Sequence, residues 1–151
     1  FGLSTRMRYD LTVNEFTREI FNKKDLEVYD PDTWRPYCHV EDFANILHLA
    51  LNTPKDKISF EVFNAGMDNN NFTKRMIVEK IIEFIPSKQV NFVNKPGTDP
   101  RNYRVNFSKL RKLLGYQCQF SIEDGIKEII KQLENIVEDQ NAQLGNYKVR
   151  I

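Results

Sequence analysis

The chain has 151 residues, a net charge of +1, and hydrophobic and charged fractions of 40% and 28%. That length and apolar content suit one packed domain, and an aromatic content of 12% excludes a disordered or low-complexity chain. Near-neutral charge gives no pull toward nucleic acid or an anionic membrane, and no apolar run nears the roughly 20 residues that span a bilayer.

The chain starts Phe1-Gly2-Leu3-Ser4, without an initiator Met or a signal-peptide pattern, and reads as one entered midway. Val13, Phe16 and Ile20 share a helical face, with Asp10 as a candidate N-cap. That helix stops at Asn22-Lys23-Lys24-Asp25, and Leu26-Glu27-Val28-Tyr29 alternates like a short strand. Asp30-Pro31-Asp32 is turn chemistry. An extended piece over residues 35–39 feeds a helix whose apolar face is Val40, Phe43, Leu47 and Leu51. Glu41 and Asp42 stand in its first turn, where negative charge suits the helix dipole.

Residues 60–63 are the best strand candidate, apolar enough for a sheet covered on both faces. Thr73 can cap the next helix, which buries Ile77 or Val78, Ile81, Ile82 and Ile85 before Pro86 stops it. Residues 89–94 read as another strand, followed by a Pro96-Gly97 turn and a polar, arginine-rich stretch over 99–104. A short helix from Ser108 ends at Gly115. The last helix opens on a capping-box-like Ser121-Ile122-Glu123-Asp124 and carries Ile126, Ile129, Ile130, Leu133, Ile136 and Val137 at helical spacing. Strands alternate with helices throughout, so the expected class is α/β, with residues 1–138 structured and 139–151 a polar tail.

Several chemistries are missing. The glycines, at 2, 66, 97, 115, 125 and 145, never fall at G-x-G-x-x-G or P-loop spacing. No tyrosine has a lysine four residues on, and there is no G-x-S-x-G or H-E-x-x-H. His39 with Asp42 suggests a triad, but no serine nucleophile accompanies them, and a structural histidine is the expectation. Cys38 and Cys118 form no metal-ligand spacing and no disulfide framework, which fits a reducing, cytoplasmic location.

Four segments, in order, resemble the extended short-chain dehydrogenases/reductases, the NAD-dependent epimerases and dehydratases of nucleotide-sugars. Phe1-Gly2-Leu3-Ser4 and the Arg6 to Asn14 run are similar to a strand end and the loop entering the substrate-covering helix. Arg35-Pro36-Tyr37-Cys38-His39-Val40-Glu41-Asp42 is similar to R-x-Y-x-H-V-x-D, and Phe63-Asn64-Ala65-Gly66 to the F-N-x-G strand end. The fourth, Asp99-Pro100-Arg101-Asn102-Tyr103 with Ser108-Lys109 and Leu114-Gly115-Tyr116, resembles D-x-R-x-Y … S-K … L-G-W/Y. Two departures stand out: Asp30-Pro31-Asp32-Thr33-Trp34 replaces a glycine-rich turn, and Leu3-Ser4 stands where many members have proline.

The resemblance implies the C-terminal, substrate-binding lobe of such an enzyme, with the last strands of a Rossmann-type sheet. It implies that NAD or NADP serves the complete enzyme and is bound by an N-terminal Rossmann portion that this chain lacks, as it lacks the catalytic Tyr-x-x-x-Lys. The chain alone is therefore expected to be inactive, with a nucleotide-diphosphate sugar as ligand and a homodimer left open. By the same resemblance Arg35 contacts the diphosphate, the other reading being an ion pair with Asp32 or Glu41. Asp99 and Arg101 lie near ribose and base, the other reading being a turn salt-bridged to Lys95 or Arg104. Asp10, Leu11 and Asn14 stand at the sugar and diphosphate, and Arg6 and Arg8 either add to that anion site or decorate a solvated loop. A non-catalytic nucleotide-sugar-binding or interaction module is the alternative.

Overall fold

The structure, a computed structural model, describes residues 1–93 and 101–135. Its elements are α1 (Thr12–Phe21), β1 (Leu26–Tyr29), β2 (Trp34–Pro36), α2 (Val40–Asn52), α3 (Lys55–Ile58), a 3-10 turn (Asp68–Asn70), β3 (Asn71–Thr73), α4 (Lys74–Phe84), β4 (Val90–Val93), α5 (Ser108–Leu114) and α6 (Ile122–Glu134). The class is α/β, as expected. β1 pairs in parallel with β4, Leu26 opposite Val90 and Tyr29 opposite Val93. β2 pairs antiparallel with β3, Arg35 opposite Phe72.

The main core lies where α1, α4 and α6 meet the parallel pair. Val13, Phe16 and Ile20 of α1, Ile77, Val78 and Ile81 of α4, and Ile122, Ile126, Ile129 and Leu133 of α6 close around Leu26 and Val28. Burying branched side chains of this size contributes about 1.5–3 kcal/mol each. The helices start where the sequence says. The Thr73 hydroxyl accepts from the Met76 amide, and Ser121 and Asp124 form a reciprocal capping box. Ile136, Val137 and the tail lie outside the described residues, as do Pro96 and Gly97.

Two expectations are corrected. Asp10 is not the N-cap of α1: Leu11 holds that position without a side-chain cap, because the Asp10 carboxylate is taken by Arg8. Residues 60–63 form no strand. A strand apolar on both faces needs a neighbour to hydrogen-bond to and layers to cover it, and Phe60 is instead fully exposed at φ 61°. The apolar face of α2 is likewise uncovered, with Phe43 47% and Leu51 86% exposed. This helix buries Asp42 and Ile46 instead, against a second, smaller core of Leu110 and Cys118.

Candidate functional site

β2 is the centre of the arrangement. On one side it pairs with β3; on the other, residues 101–106 run beside it. The Trp34 amide donates to Asn102 Oδ1 at 2.9 Å, and the Tyr103 amide donates to the Trp34 carbonyl at 3.2 Å. Asn71 of β3 fixes the same segment, its side chain accepting from the Val105 amide at 2.8 Å and donating to the Val105 carbonyl at 3.0 Å. Neighbouring positions on β2 point to opposite faces. Arg35 accordingly lies with its guanidinium 5.4 Å from the Tyr103 ring, while Arg104 lies 4.7 Å from the Trp34 ring. Arg35 Nη1 also donates to the Trp34 carbonyl at 2.9 Å.

In the turn before β2, Asp32 is bonded to α4. Arg75 of α4 grips Asp32 in a two-bonded pair at 2.8 and 3.1 Å, and its amide donates to the Pro31 carbonyl. The arginine fork holds the Asp32 carboxyl below the usual carboxylate range. A Pro-Asp turn anchored to α4 thus does what a glycine-rich loop would do by flexibility alone.

Trp34, Arg104, Asn69 and Asn106 line an open cleft of about 480 Å³. A second cavity, of about 420 Å³, is lined by Phe1, Ser4, Arg8, Leu11, Asn14 and Cys38 among others. The structure thus brings Arg8, Leu11 and Asn14 together and places Arg35 beside the 101–106 segment. Asp10 forms a two-bonded ion pair with Arg8, at 2.7 and 2.6 Å, whose hydrogen bonds draw its carboxyl below the ordinary range. Asn14 is fully buried; it accepts from the Gly2 amide and donates to the Arg8 carbonyl at 3.0 Å, so it fixes the loop. Arg6 is exposed, and its carbonyl accepts from the Ser4 hydroxyl. Arg101 is exposed on the segment beside β2, and Asp99 lies outside the described residues.

Two side chains that organise the site exceed what their spacing suggests. His39 is buried and caps α2: Nδ1 accepts from the Glu41 amide and Nε2 stands 3.0 Å from Glu128 Oε2 on α6. Its ring stacks on Phe120 and meets the edge of Phe1. Gly2, at φ 100°, passes so close that any Cβ there would strike the imidazole. Asp42, also buried, accepts from the Tyr116 hydroxyl and the Gln119 amide at 2.9 Å and from the Phe120 amide at 3.1 Å. The two side chains bond to different partners, so they form no triad. Asn64 donates to the Asn106 carbonyl, and Gly66 lies against Phe107. All four resemblance segments therefore meet in one body, joined by their own hydrogen bonds.

NAD is the cofactor the resemblance implies. Neither strand of the parallel pair leads through a glycine-rich turn into a helix among the described residues: β1 runs into Asp30-Pro31-Asp32 and then β2. Among the described residues these turns form no phosphate cradle of that kind. Among the described residues no group of His, Cys, Asp and Glu is placed to hold a metal ion, and no helix is long and apolar enough to cross a membrane.

The fold is α/β and resembles that of solved epimerases and dehydratases. A model of the NAD dependent epimerase/dehydratase family matches residues 6–66. The chain is 23% identical over 133 residues to a UDP-glucuronate 4-epimerase of Thermodesulfobacterium geofontis, covering 87% of this chain and 40% of that protein. It is 28% identical over 136 residues to a dTDP-glucose 4,6-dehydratase of Salmonella typhimurium, covering 83% and 37%. Among solved structures, the UDP-glucuronic acid 4-epimerase of Bacillus cereus, in complex with UDP-glucuronic acid and NAD, superposes with a TM-score of 0.73 at 25% identity, over 88% of this chain and 43% of that one. The chain is similar to these epimerases and dehydratases, and it spans about two-fifths of the length of the curated relatives it matches.

Proposed function

We propose that this chain is the nucleotide-sugar-binding part of an NAD(P)-dependent epimerase or dehydratase, residues 1–138 forming the binding lobe. The observation that carries this reading is Arg35, set at the middle of a three-residue strand between β3 and the 101–106 segment. A diphosphate is best met by a planar, permanently charged fork, and arginine supplies it. Arg101 and Asp99 take the ribose and base end. Arg8, with Arg6 nearby in the loop, adds positive charge for the phosphates, and Asp10 and Leu11 face the sugar. Asn14 acts on the ligand through the loop it fixes. The lobe orients the hexose, and remote nucleotide contacts supply the affinity that holds it in place.

The reacting groups come from a cofactor-binding portion, which docks on the uncovered α2 face and on residues 60–63. Proton and hydride transfer belong to that portion, in the cytoplasm, and the chain alone turns nothing over. Titration calorimetry with UDP-glucose, UDP-glucuronate and dTDP-glucose tests the reading. At least one binds, and Arg35→Ala weakens it about tenfold or more, the loss of one charge-assisted contact. Silence with all three, or an unchanged affinity in Arg35→Ala, overturns it. Turnover by the chain with added NAD overturns the division of labour while leaving the binding intact.

A further inference from the structure

Two arginine–aromatic pairs cross β2, one on each face. Arg35 sits at the Tyr103 ring on one face, and Arg104 lies 4.7 Å from the Trp34 ring on the other. Only the first pair belongs to the nucleotide-sugar reading above. The second opens on the cleft of about 480 Å³, whose lining includes Trp34, Asn69, Phe72, Met76, Arg104 and Asn106 but neither Arg35 nor Tyr103. A volume of that size suits a small molecule.

The walls of this cleft are fixed, while the groups at its mouth are not used up. Asn71 commits its whole amide to the main chain, accepting from the Val105 amide and donating to the Val105 and Asp68 carbonyls, so it ties β3 to the 101–106 segment. Asp68 accepts from the Phe107 amide at 3.1 Å and pairs with Arg111 at 2.6 Å, which offsets its charge. Asn106 accepts from the Ser108 amide through Oδ1, which leaves its NH2 to donate outward. Among the described residues no carboxylate pairs with Arg104, and no hydrogen bond holds the Asn69 side chain. The lining therefore carries one uncompensated positive charge.

We infer that this cleft is a second ligand site, for a small aromatic anion: a flat ring bearing a phosphate or carboxylate group. Contact with the indole holds the Arg104 guanidinium plane without consuming its N–H edge, so two donors can meet two oxygens of one anion at once. The Asn69 and Asn106 amides add donors at the same mouth. Trp34 and Met76 supply the surface against which the ring lies. A bare inorganic anion would use the arginine and leave the indole wet, and a neutral ring would do the reverse. Affinity needs both halves.

Trp34 is the only tryptophan in the 151-residue chain, so its emission reports on the cleft directly. The chain is titrated with phenyl phosphate, benzoate, inorganic phosphate and benzyl alcohol, following that emission and, on isotope-labelled chain, the side-chain amide signals of Asn69 and Asn106. At least one aromatic anion should saturate with a Kd on the order of a millimolar or below, at least about tenfold tighter than inorganic phosphate or benzyl alcohol, and should shift both amides. Tighter phenyl phosphate assigns the site to phosphate esters, and tighter benzoate to carboxylates. Arg104→Ala should weaken binding about tenfold or more, and Arg104→Lys should not restore it, because lysine keeps the charge and loses the fork. Lys127→Ala, which removes a cation beside Phe84, should change nothing. The amide shifts of the wild-type chain decide the matter even if an Arg104 variant misfolds. No saturation by either aromatic anion up to about 10 mM, equal binding of inorganic phosphate or benzyl alcohol, shifts that miss both amides, or a loss in Arg35→Ala in place of Arg104→Ala would overturn the inference.

Discussion

Helices α6 and α2 are built from the same materials and end in opposite surroundings. On α6, Ile122, Ile126 and Ile129 are all fully buried against α1 and α4. On α2, Val40, Phe43, Leu47 and Leu51 make an equally regular stripe, and all four are exposed. Helix formation does not distinguish them, since both are capped by a side chain at their first turn. The difference is a neighbour. α6 finds its neighbours within the chain, whereas α2 spends its inward side on Asp42 and Ile46 and leaves the stripe free. Val62 at 77% exposure and Phe60 add to the uncovered apolar surface in the same part of the sequence. Large exposed apolar patches are common where a protein meets another body.

The largest effect should come from the covered side. Ile126→Ala removes a wholly buried side chain from the core that α1, α4 and α6 share, and should lower stability by about 4 kcal/mol in urea unfolding. A loss under about 1 kcal/mol would mean that the α6 core is no tighter than the α2 face, and the contrast would break. Next is Asp42→Asn, which keeps the shape but weakens an acceptor serving two amides and a hydroxyl. About 2 kcal/mol should be lost, together with faster labelling of Cys118, because residues 116–120 are held to α2 by that carboxylate.

How much of this was legible beforehand depends on whether the cause was local. Caps, turns and helix ends were readable: Thr73, Ser121 with Asp124, and Gly115 each act on residues within a few positions. The covered stripes of α1, α4 and α6 were readable as well, because their partners lie in the same chain. Residues 60–63 were misread, and the exposure of the α2 stripe was not legible, since periodicity reports that a face is apolar and not whether anything covers it. In the site, Arg35 could be singled out by its motif, but the Tyr103 ring beside it and the Arg104–Trp34 pair arise only when distant segments fold together. Alternating arginine and aromatic residues at 34–35 and 103–104 were the one local hint of that packing.

The capping box supplies a smaller, pH-dependent test of the covered side. Hydrogen bonds from the Ser121 side chain, then from its amide, hold the Asp124 carboxyl below its ordinary value. A depressed folded value means this contribution is whole above the unfolded carboxylate range, near about pH 4, and is lost as pH falls through the folded value. Asp124→Asn should therefore flatten part of the drop in urea midpoint on acidification, with little change at neutral pH. An identical acid profile in variant and wild type would show that the box does not hold α6 through charge.

The smallest stability effect belongs to the uncovered side, and it is the most telling. Leu47→Ser removes an apolar side chain that is already 52% exposed, so urea unfolding of the chain should shift by less than about 0.5 kcal/mol. Self-association at high concentration should fall, because the stripe loses its central member. Co-expression with a cofactor-binding portion of a relative should then give a complex with the wild-type chain and a weaker one with Leu47→Ser. If Leu47→Ser instead destabilises the chain as Ile126→Ala does, the α2 stripe is already buried within this chain in solution. The contrast between the two helices would then vanish, and with it the argument for a docking partner on that face.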